Sequence, residues 1–155
     1  MTRAEQAVEL IAPAIDGREV LEVACGTAEF SLAAAGLAAA VTCIDLDDSR
    51  LLPEAGECEN LRFRKMDATA MRFGSETFDT IVLYNAVFHL ADQLPAVLDE
   101  CLRVLRPGGL LAVISTWSLD KPVLTDTLMP LIETRGIRYR LSIDEPYIWV
   151  QVRNP

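Results

Sequence analysis

The segment Val20-Leu21-Glu22-Val23-Ala24-Cys25-Gly26-Thr27-Ala28-Glu29-Phe30 limits the folds open to this chain more than any other. An apolar run carries an acid, breaks into small residues and passes directly into a stretch of high helix propensity. A strand that turns into a helix through so few residues belongs to a parallel α/β sheet, with the turn at the strand's carboxyl end. Ligands bind at such ends, and small side chains there let a ligand touch the backbone.

The rest of the chain continues the alternation. Ala7, Val8, Leu10, Ile11 and Ala14 recur at helical spacing until Pro13 to Gly17 stops them. Strands are expected over Glu19 to Val23, Val41 to Asp45, Leu61 to Met66, Phe78 to Tyr84 and Leu110 to Ser115, the last buried on both faces. A crossover helix is expected from Glu29 to Ala40, and Asp47, Asp48 and Ser49 are placed to cap a short helix to about Ala55. Asp67 to Phe73 reads as a loop or single turn. Leu94, Val97, Leu98, Cys101, Leu102 and Leu105 make an apolar stripe on a helix from Gln93 to Arg106, stopped by Pro107-Gly108-Gly109. Pro122 to Thr134 reads as a last helix, interrupted or ended at Pro130. Ile137 to Ile143 and Tyr147 to Val152 then form an antiparallel hairpin around Asp144-Glu145-Pro146. The expectation is an α/β fold with a mixed sheet, one domain over residues 1–155.

Composition narrows the partners. A formal net charge of -9 argues against a surface that holds nucleic acid. Arg62, Arg64 and Lys65, and again Arg135, Arg138 and Arg140, read as solvated edges. Cys25, Cys43, Cys58 and Cys101 lack Cys-x-x-Cys spacing, which fits small apolar filling in a reducing compartment. Glu5 and Glu9 interrupt the first apolar pattern, unlike a secretory signal, and no apolar run reaches the ~20 residues of a membrane span. These features point to a cytoplasmic protein without membrane or nucleic-acid partners.

Several motifs together resemble class I S-adenosylmethionine-dependent methyltransferases. The family's cofactor loop, acid-x-Gly-x-Gly-x-Gly, is matched by Glu22 with Ala24, Gly26 and Ala28 in the glycine places. A methyl group is tolerable at Ala24, whereas at Ala28 it is expected to crowd the cofactor or tilt the next helix. Asp45 closes the second strand, Asp67-Ala68 follows the third, and Tyr84-Asn85-Ala86 ends the fourth. Arg103-Val104-Leu105-Arg106-Pro107-Gly108-Gly109 is similar to the family's helix-to-strand turn Arg-Val-Leu-Lys-Pro-Gly-Gly, and the closing hairpin to its antiparallel seventh strand. The resemblance implies a three-layer Rossmann-like fold on a mostly parallel seven-stranded sheet. It implies S-adenosylmethionine as cofactor, with S-adenosylhomocysteine as product. Glu22 is then assigned to the cofactor's ammonium and the Gly26 backbone to its methionyl carboxylate. Asp45 is assigned to the ribose hydroxyls and Asp67 with Ala68 to the adenine. Tyr84 and Asn85 are assigned to the methionyl part. Cys25 and Leu46 belong to the same cofactor-binding set by position.

Methyl transfer from a sulfonium is a direct displacement, so alignment and water exclusion suffice and a base is optional. His89, the only histidine, is a candidate base, with packing at a helix entry as the competing role. Tyr84 and Asn85 are candidates for orienting the acceptor. Asp45, Asp47 and Asp48 serve ribose binding and capping better than a metal. Trp117 is a candidate pocket wall and Trp149 a packing residue. The reading is methyl transfer to a small-molecule acceptor. The alternative is a cofactor-binding regulatory or scaffolding subunit without activity; a nicotinamide oxidoreductase lacks its Gly-x-Gly-x-x-Gly. So short a chain leaves the site open, to be closed by its first helix, a homodimer partner, another subunit or a large substrate.

Overall fold

The computed structural model describes residues 1–155. The first helix, α1 (Arg3–Leu10), begins on a feature the hydrophobic spacing does not report. Thr2 accepts from the Glu5 amide and Glu5 returns a bond to the Thr2 amide, which satisfies two otherwise unpaired donors. α2 (Ala12–Ile15) follows with Pro13 in its first turn, and β1 (Glu19–Val23) has the bounds expected.

The crossover helix α3 (Glu29–Ala35) stops at Gly36, five residues short of the expected end, and β2 (Ala40–Asp45) begins after a turn. No helix runs from Ser49 to Ala55. Asp47 folds back on the Ser49 amide, and Leu52, ahead of Pro53, is held extended, leaving only a 3-10 turn at Pro53–Gly56. β3 (Leu61–Lys65) and β4 (Phe78–Tyr84) lie as expected, and a short α4 (Val87–Leu90) precedes α5 (Leu94–Val104).

β5 (Leu105–Ser115) begins before the Pro-Gly-Gly turn, because Leu105 already pairs with Phe78 and the register then shifts before Thr80 meets Leu110. The last helix starts two residues early, as α6 (Asp120–Val123). A π turn at Leu124–Leu128 absorbs the missing amide of Pro130 and lets the helix go on as α7 (Met129–Thr134). β6 (Arg140–Asp144) and β7 (Tyr147–Arg153) form the hairpin.

The seven strands stand in the order β3-β2-β1-β4-β5-β7-β6. β7 runs antiparallel to both β5 and β6, while the other neighbours are parallel. Alternate residues feed two core layers. Leu21, Ile81, Leu83, Leu111 and Val113 pack beneath α5 and the last helix. Val20, Val82, Leu110, Ala112 and Ile114 pack beneath α1, α2 and α3. Helices on both faces make this the three-layer fold expected. Successive strands progress outward from β1 to β3 and then cross to β4 on the other side, so the order reverses between β1 and β4. That switch point, at the carboxyl ends of the strands, is where an open α/β sheet leaves a crevice. No helix is long and apolar enough to cross a membrane.

Candidate active site

A cavity of about 480 Å³ occupies the switch point. β1 and its turn bring Glu22, Ala24, Cys25 and Gly26 to it, and β2 brings Asp45 and Leu46. Asp67 and Ala68 come from the end of β3, Tyr84 and Asn85 from the end of β4, and His89 from α4. All the candidate cofactor-binding and catalytic residues therefore border one space, which the candidate wall Trp117 does not reach. Arg50, Thr27, Glu29, Phe30 and Gln93 border it too and were missed. Only Arg50 had left a signal, as a lone cation just after the acids Asp45, Asp47 and Asp48.

The turn works through its backbone. Ala24, Gly26 and Ala28 have φ of 56°, 55° and 67°, left-handed values that cost an alanine about 1 kcal/mol and a glycine nothing. The glycine places thus keep a glycine's conformation even where alanine stands. Ala28 does not crowd the cavity, contrary to expectation: its methyl is fully buried in the core and α3 still starts at Glu29. Gly26 also departs from expectation. Its amide donates to Asp45 Oδ2 at 2.8 Å, because the left-handed turn aims it at β2. The Ala24 and Thr27 amides are the loop donors left without a partner in the chain.

Glu22 is 1% exposed, and its Oε1 accepts from the Ser31 amide at 3.1 Å and from the Ser31 hydroxyl at 2.7 Å. Oε2 has no partner in the chain. Burial outweighs the two Ser31 bonds and pushes the carboxyl up to about 8. Asp45 Oδ1 accepts from the Leu46 amide, so each of its oxygens holds one bond and keeps a lone pair. Asp67 takes both Thr69 donors on Oδ1 and leaves Oδ2 free; those bonds hold its carboxyl below the usual range. Cys25 and Cys43 are unbridged, and the neighbouring Cys43, together with burial, pushes the Cys25 thiol far above the usual range.

Asn85, at φ 51°, is committed to structure. Its Nδ2 donates to Thr116 Oγ1 at 2.8 Å and its Oδ1 accepts from the Thr116 and Trp117 amides, tying the end of β4 to the end of β5. Tyr84 packs at 5.6 Å on Phe30, and burial raises its phenol. His89 is exposed and stacks at 5.8 Å on Trp117. Asp120, another residue sequence reasoning missed, is fully buried and accepts from the Phe88 amide at 2.8 Å and from the Ser115 hydroxyl. It fixes α4, and with it His89, against the end of β5. Trp149 is 8% exposed and packs in the core as expected.

Comparison with known proteins agrees with this geometry. A family model described as "Methyltransferase domain" matches residues 21–113. An uncharacterized protein of Mycobacterium tuberculosis is 34% identical over 108 residues, 67% of this chain and 39% of that protein. Demethylmenaquinone methyltransferase of Staphylococcus aureus is 31% identical over 148 residues, 87% of this chain and 59% of the enzyme. The chain therefore spans less than two thirds of the length of these relatives. The crystal structure of the N-methyltransferase NodS from Bradyrhizobium japonicum, in complex with S-adenosylhomocysteine, superposes with a TM-score of 0.76 at 19% identity, covering 99% of this chain and 86% of that one. With its sheet order, its turn at the end of β1 and the matched domain, the chain belongs to the class I S-adenosylmethionine-dependent methyltransferase family.

Proposed function

We propose that the chain acts as one domain that binds S-adenosylmethionine at the switch point and methylates a small-molecule acceptor. The observation that carries this is the set of acceptors. Three carboxylates, Glu22, Asp45 and Asp67, border one cavity, and each keeps acceptor capacity that no protein donor uses. The cofactor presents an ammonium, two vicinal hydroxyls and an exocyclic amine, which are the donors such a set requires. The cavity volume lies in the range of small-molecule sites.

Glu22 Oε2 faces the ammonium, Asp45 both ribose hydroxyls, and Asp67 with the Ala68 amide the adenine edge. The Thr27 amide takes the methionyl carboxylate in place of the committed Gly26 amide. Left-handed Ala24 and Gly26 bring the loop backbone close to the ligand, Cys25 adds a neutral sulfur, and Leu46 covers the adenine. When bound, the cofactor supplies an electrophilic methyl group on a sulfonium. Tyr84 and the Asn85 backbone wall the methionyl side, and Tyr84 orients the acceptor. His89, on a helix braced by Asp120, accepts a proton from an oxygen or nitrogen nucleophile. The name of the demethylmenaquinone methyltransferase relative supports a small-molecule acceptor.

Calorimetric titration with S-adenosylhomocysteine, with NAD as control, tests the cofactor site. Micromolar binding of the first and none of the second is expected, and Asp45→Ala should weaken it at least ~100-fold, by losing a charge-assisted pair of bonds of about 3 kcal/mol. Binding that ignores Asp45→Ala, or that favours NAD, overturns the reading.

A further inference from the structure

A second cavity, of about 690 Å³, adjoins the first on the side away from β2. Tyr84, Asn85, His89, Glu29 and Arg50 border both spaces, and Arg3, Thr116, Trp117 and Ser118 border only the outer one. Two properties set it apart from the rest of this molecule.

The first is charge. Four acidic side chains, of which the buried Glu22 is largely protonated at neutral pH, and one guanidinium border the inner cavity, whereas two guanidiniums and one carboxylate, Glu29, border the outer one. Neither Arg3 nor Arg50 is within ion-pair distance of any carboxylate, and neither guanidinium donates a hydrogen bond within the chain, although acids outnumber bases 23 to 14. In a chain this acidic, two free arginines converging on one space are cations that lack their anion.

The second is shape. Trp117 and Phe88 are 37% and 41% exposed, among the few large apolar side chains left outside the core. Their rings meet edge to face at 5.2 Å, and the His89 ring stacks on Trp117 at 28° between planes. Phe88 and His89 come from α4 and Trp117 from beyond β5, so these rings converge through tertiary structure. Of these, Trp117 and the candidate base His89 border the outer cavity as near-parallel rings, and Phe88 braces Trp117 from outside it, so the aromatic surface offered there is suited to a planar ring.

We propose that the acceptor is an aromatic acid: a planar ring lying against Trp117 and His89, with its carboxylate held by Arg3 and Arg50. This assignment rests on the cofactor reading above and extends it to the acceptor's chemical class. Opposite charge in adjoining cavities gives each ligand its own place. The inner, acidic space suits a cofactor of net positive charge, and the outer, basic one repels it and attracts an anion.

The two tryptophans make the test direct. Trp149 is buried at 8% exposure and reports global change, while Trp117 reports the wall. With the protein saturated in S-adenosylhomocysteine, indole N–H signals are followed by NMR during titration with 3-hydroxybenzoate, its neutral isostere 3-hydroxybenzamide, and cyclohexanecarboxylate, which keeps the charge without the plane. The expected result is a shift of Trp117 alone, with 3-hydroxybenzoate at least ~10-fold tighter than either analogue. Arg3→Gln should bring the acid to the level of the amide and leave the affinity for S-adenosylhomocysteine unchanged. Trp117→Ala, followed through the Arg3 and Thr116 backbone amides, should weaken acid and amide alike. Equal affinity for acid and amide, or no shift with the cofactor product bound, overturns the acceptor assignment and leaves the cofactor site standing. Failure of S-adenosylhomocysteine itself to bind overturns both.

Discussion

Glu22 is the residue whose placement asks most of its surroundings. An acid inside β1 has no packing role that an apolar side chain would not fill better, and this, with the resemblance to the family's cofactor loop, marked it in the sequence. What the sequence hid was Ser31, nine positions on, whose two donors occupy Oε1 and leave only Oε2 to the cavity. Because burial pushes the carboxyl up to about 8, it is largely protonated at neutral pH, and a ligand ammonium favours the ionised form. Binding of S-adenosylhomocysteine should therefore release a proton below pH 8. Its affinity should rise as pH climbs from 6 to 8, by up to ~10-fold per pH unit, and level off above. Calorimetry in buffers of differing ionisation heat measures that proton, and Glu22→Gln should flatten the profile. A flat wild-type profile would mean the ammonium does not reach Glu22. The neighbouring alanines carry a different expectation. Ala24 borders the cavity at φ 56°, so Ala24→Gly exchanges about 1 kcal/mol of left-handed strain for a similar loss in unfolded-chain order. Chemical unfolding should find it within ~0.5 kcal/mol of wild type or more stable, and a loss above ~1 kcal/mol would show that the methyl itself is needed.

At the level of elements, the helix-to-strand turn after α5 was the clearest signal in the chain, and its parts prove to be fasteners. Arg103 binds Glu100 through Nε at 2.7 Å and donates to the Phe73 and Met71 carbonyls, while Glu100 accepts the Met71 amide, so the loop between β3 and β4 is pinned to α5. Arg106 pairs with Asp79 at 2.9 Å, and Asp79 also accepts the Glu19 amide, joining the starts of β5, β4 and β1. Gly109 leaves no room: a Cβ there would lie 2.7 Å from the Asp79 carbonyl oxygen. Gly109→Ala should destabilise by about 1–3 kcal/mol or more, whereas Gly108→Ala, at φ 77° with open space around it, should cost only about 1–2 kcal/mol of strain. Thermal unfolding of the two variants side by side checks the order, and a reversed order would place the constraint in the backbone angle. The elements that sequence misread failed for local reasons. Gly36 ended α3 where alanine-rich propensity carried on, and Pro53 forbade the helix that Asp47 to Ser49 invited. The π turn reconciled Pro130 with a continuous helix by a ladder shift that no pattern of side chains encodes. Strand bounds were legible to within a residue for β1 to β4, because apolar runs between turn residues mark buried parallel strands.

For the molecule as a whole, charge and the buried acid set how stability depends on solution conditions. Asp45, Asp67 and Glu22 could be read as a set because the ends of adjacent parallel strands meet by topology. Arg3, Arg50 and Trp117 could not, because they meet only when α1, the β2–β3 loop and the β5–α6 loop come together over the carboxyl ends of β4 and β5. A chain of net charge -9 repels itself when compact, so added salt should raise its melting temperature at neutral pH. Glu22 adds a dependence of definite sign. Its carboxyl ionises near 4.5 in the unfolded chain and near 8 in the folded one, so between these values the folded state holds the extra proton. Its share of stability is complete below about pH 4.5 and declines as pH rises to about 8, with a slope of up to about 1.4 kcal/mol per pH unit. Wild type should therefore melt at a lower temperature at pH 8 than at pH 6. Glu22→Gln keeps an acceptor for Ser31 without the proton and should lose most of that difference. Thermal unfolding of both proteins at the two pH values, in salt high enough to screen the surface acids, separates this buried proton from general repulsion. Equal pH dependence in the two would show that Glu22 is ionised in the folded chain, and would remove the basis for proton release on cofactor binding as well.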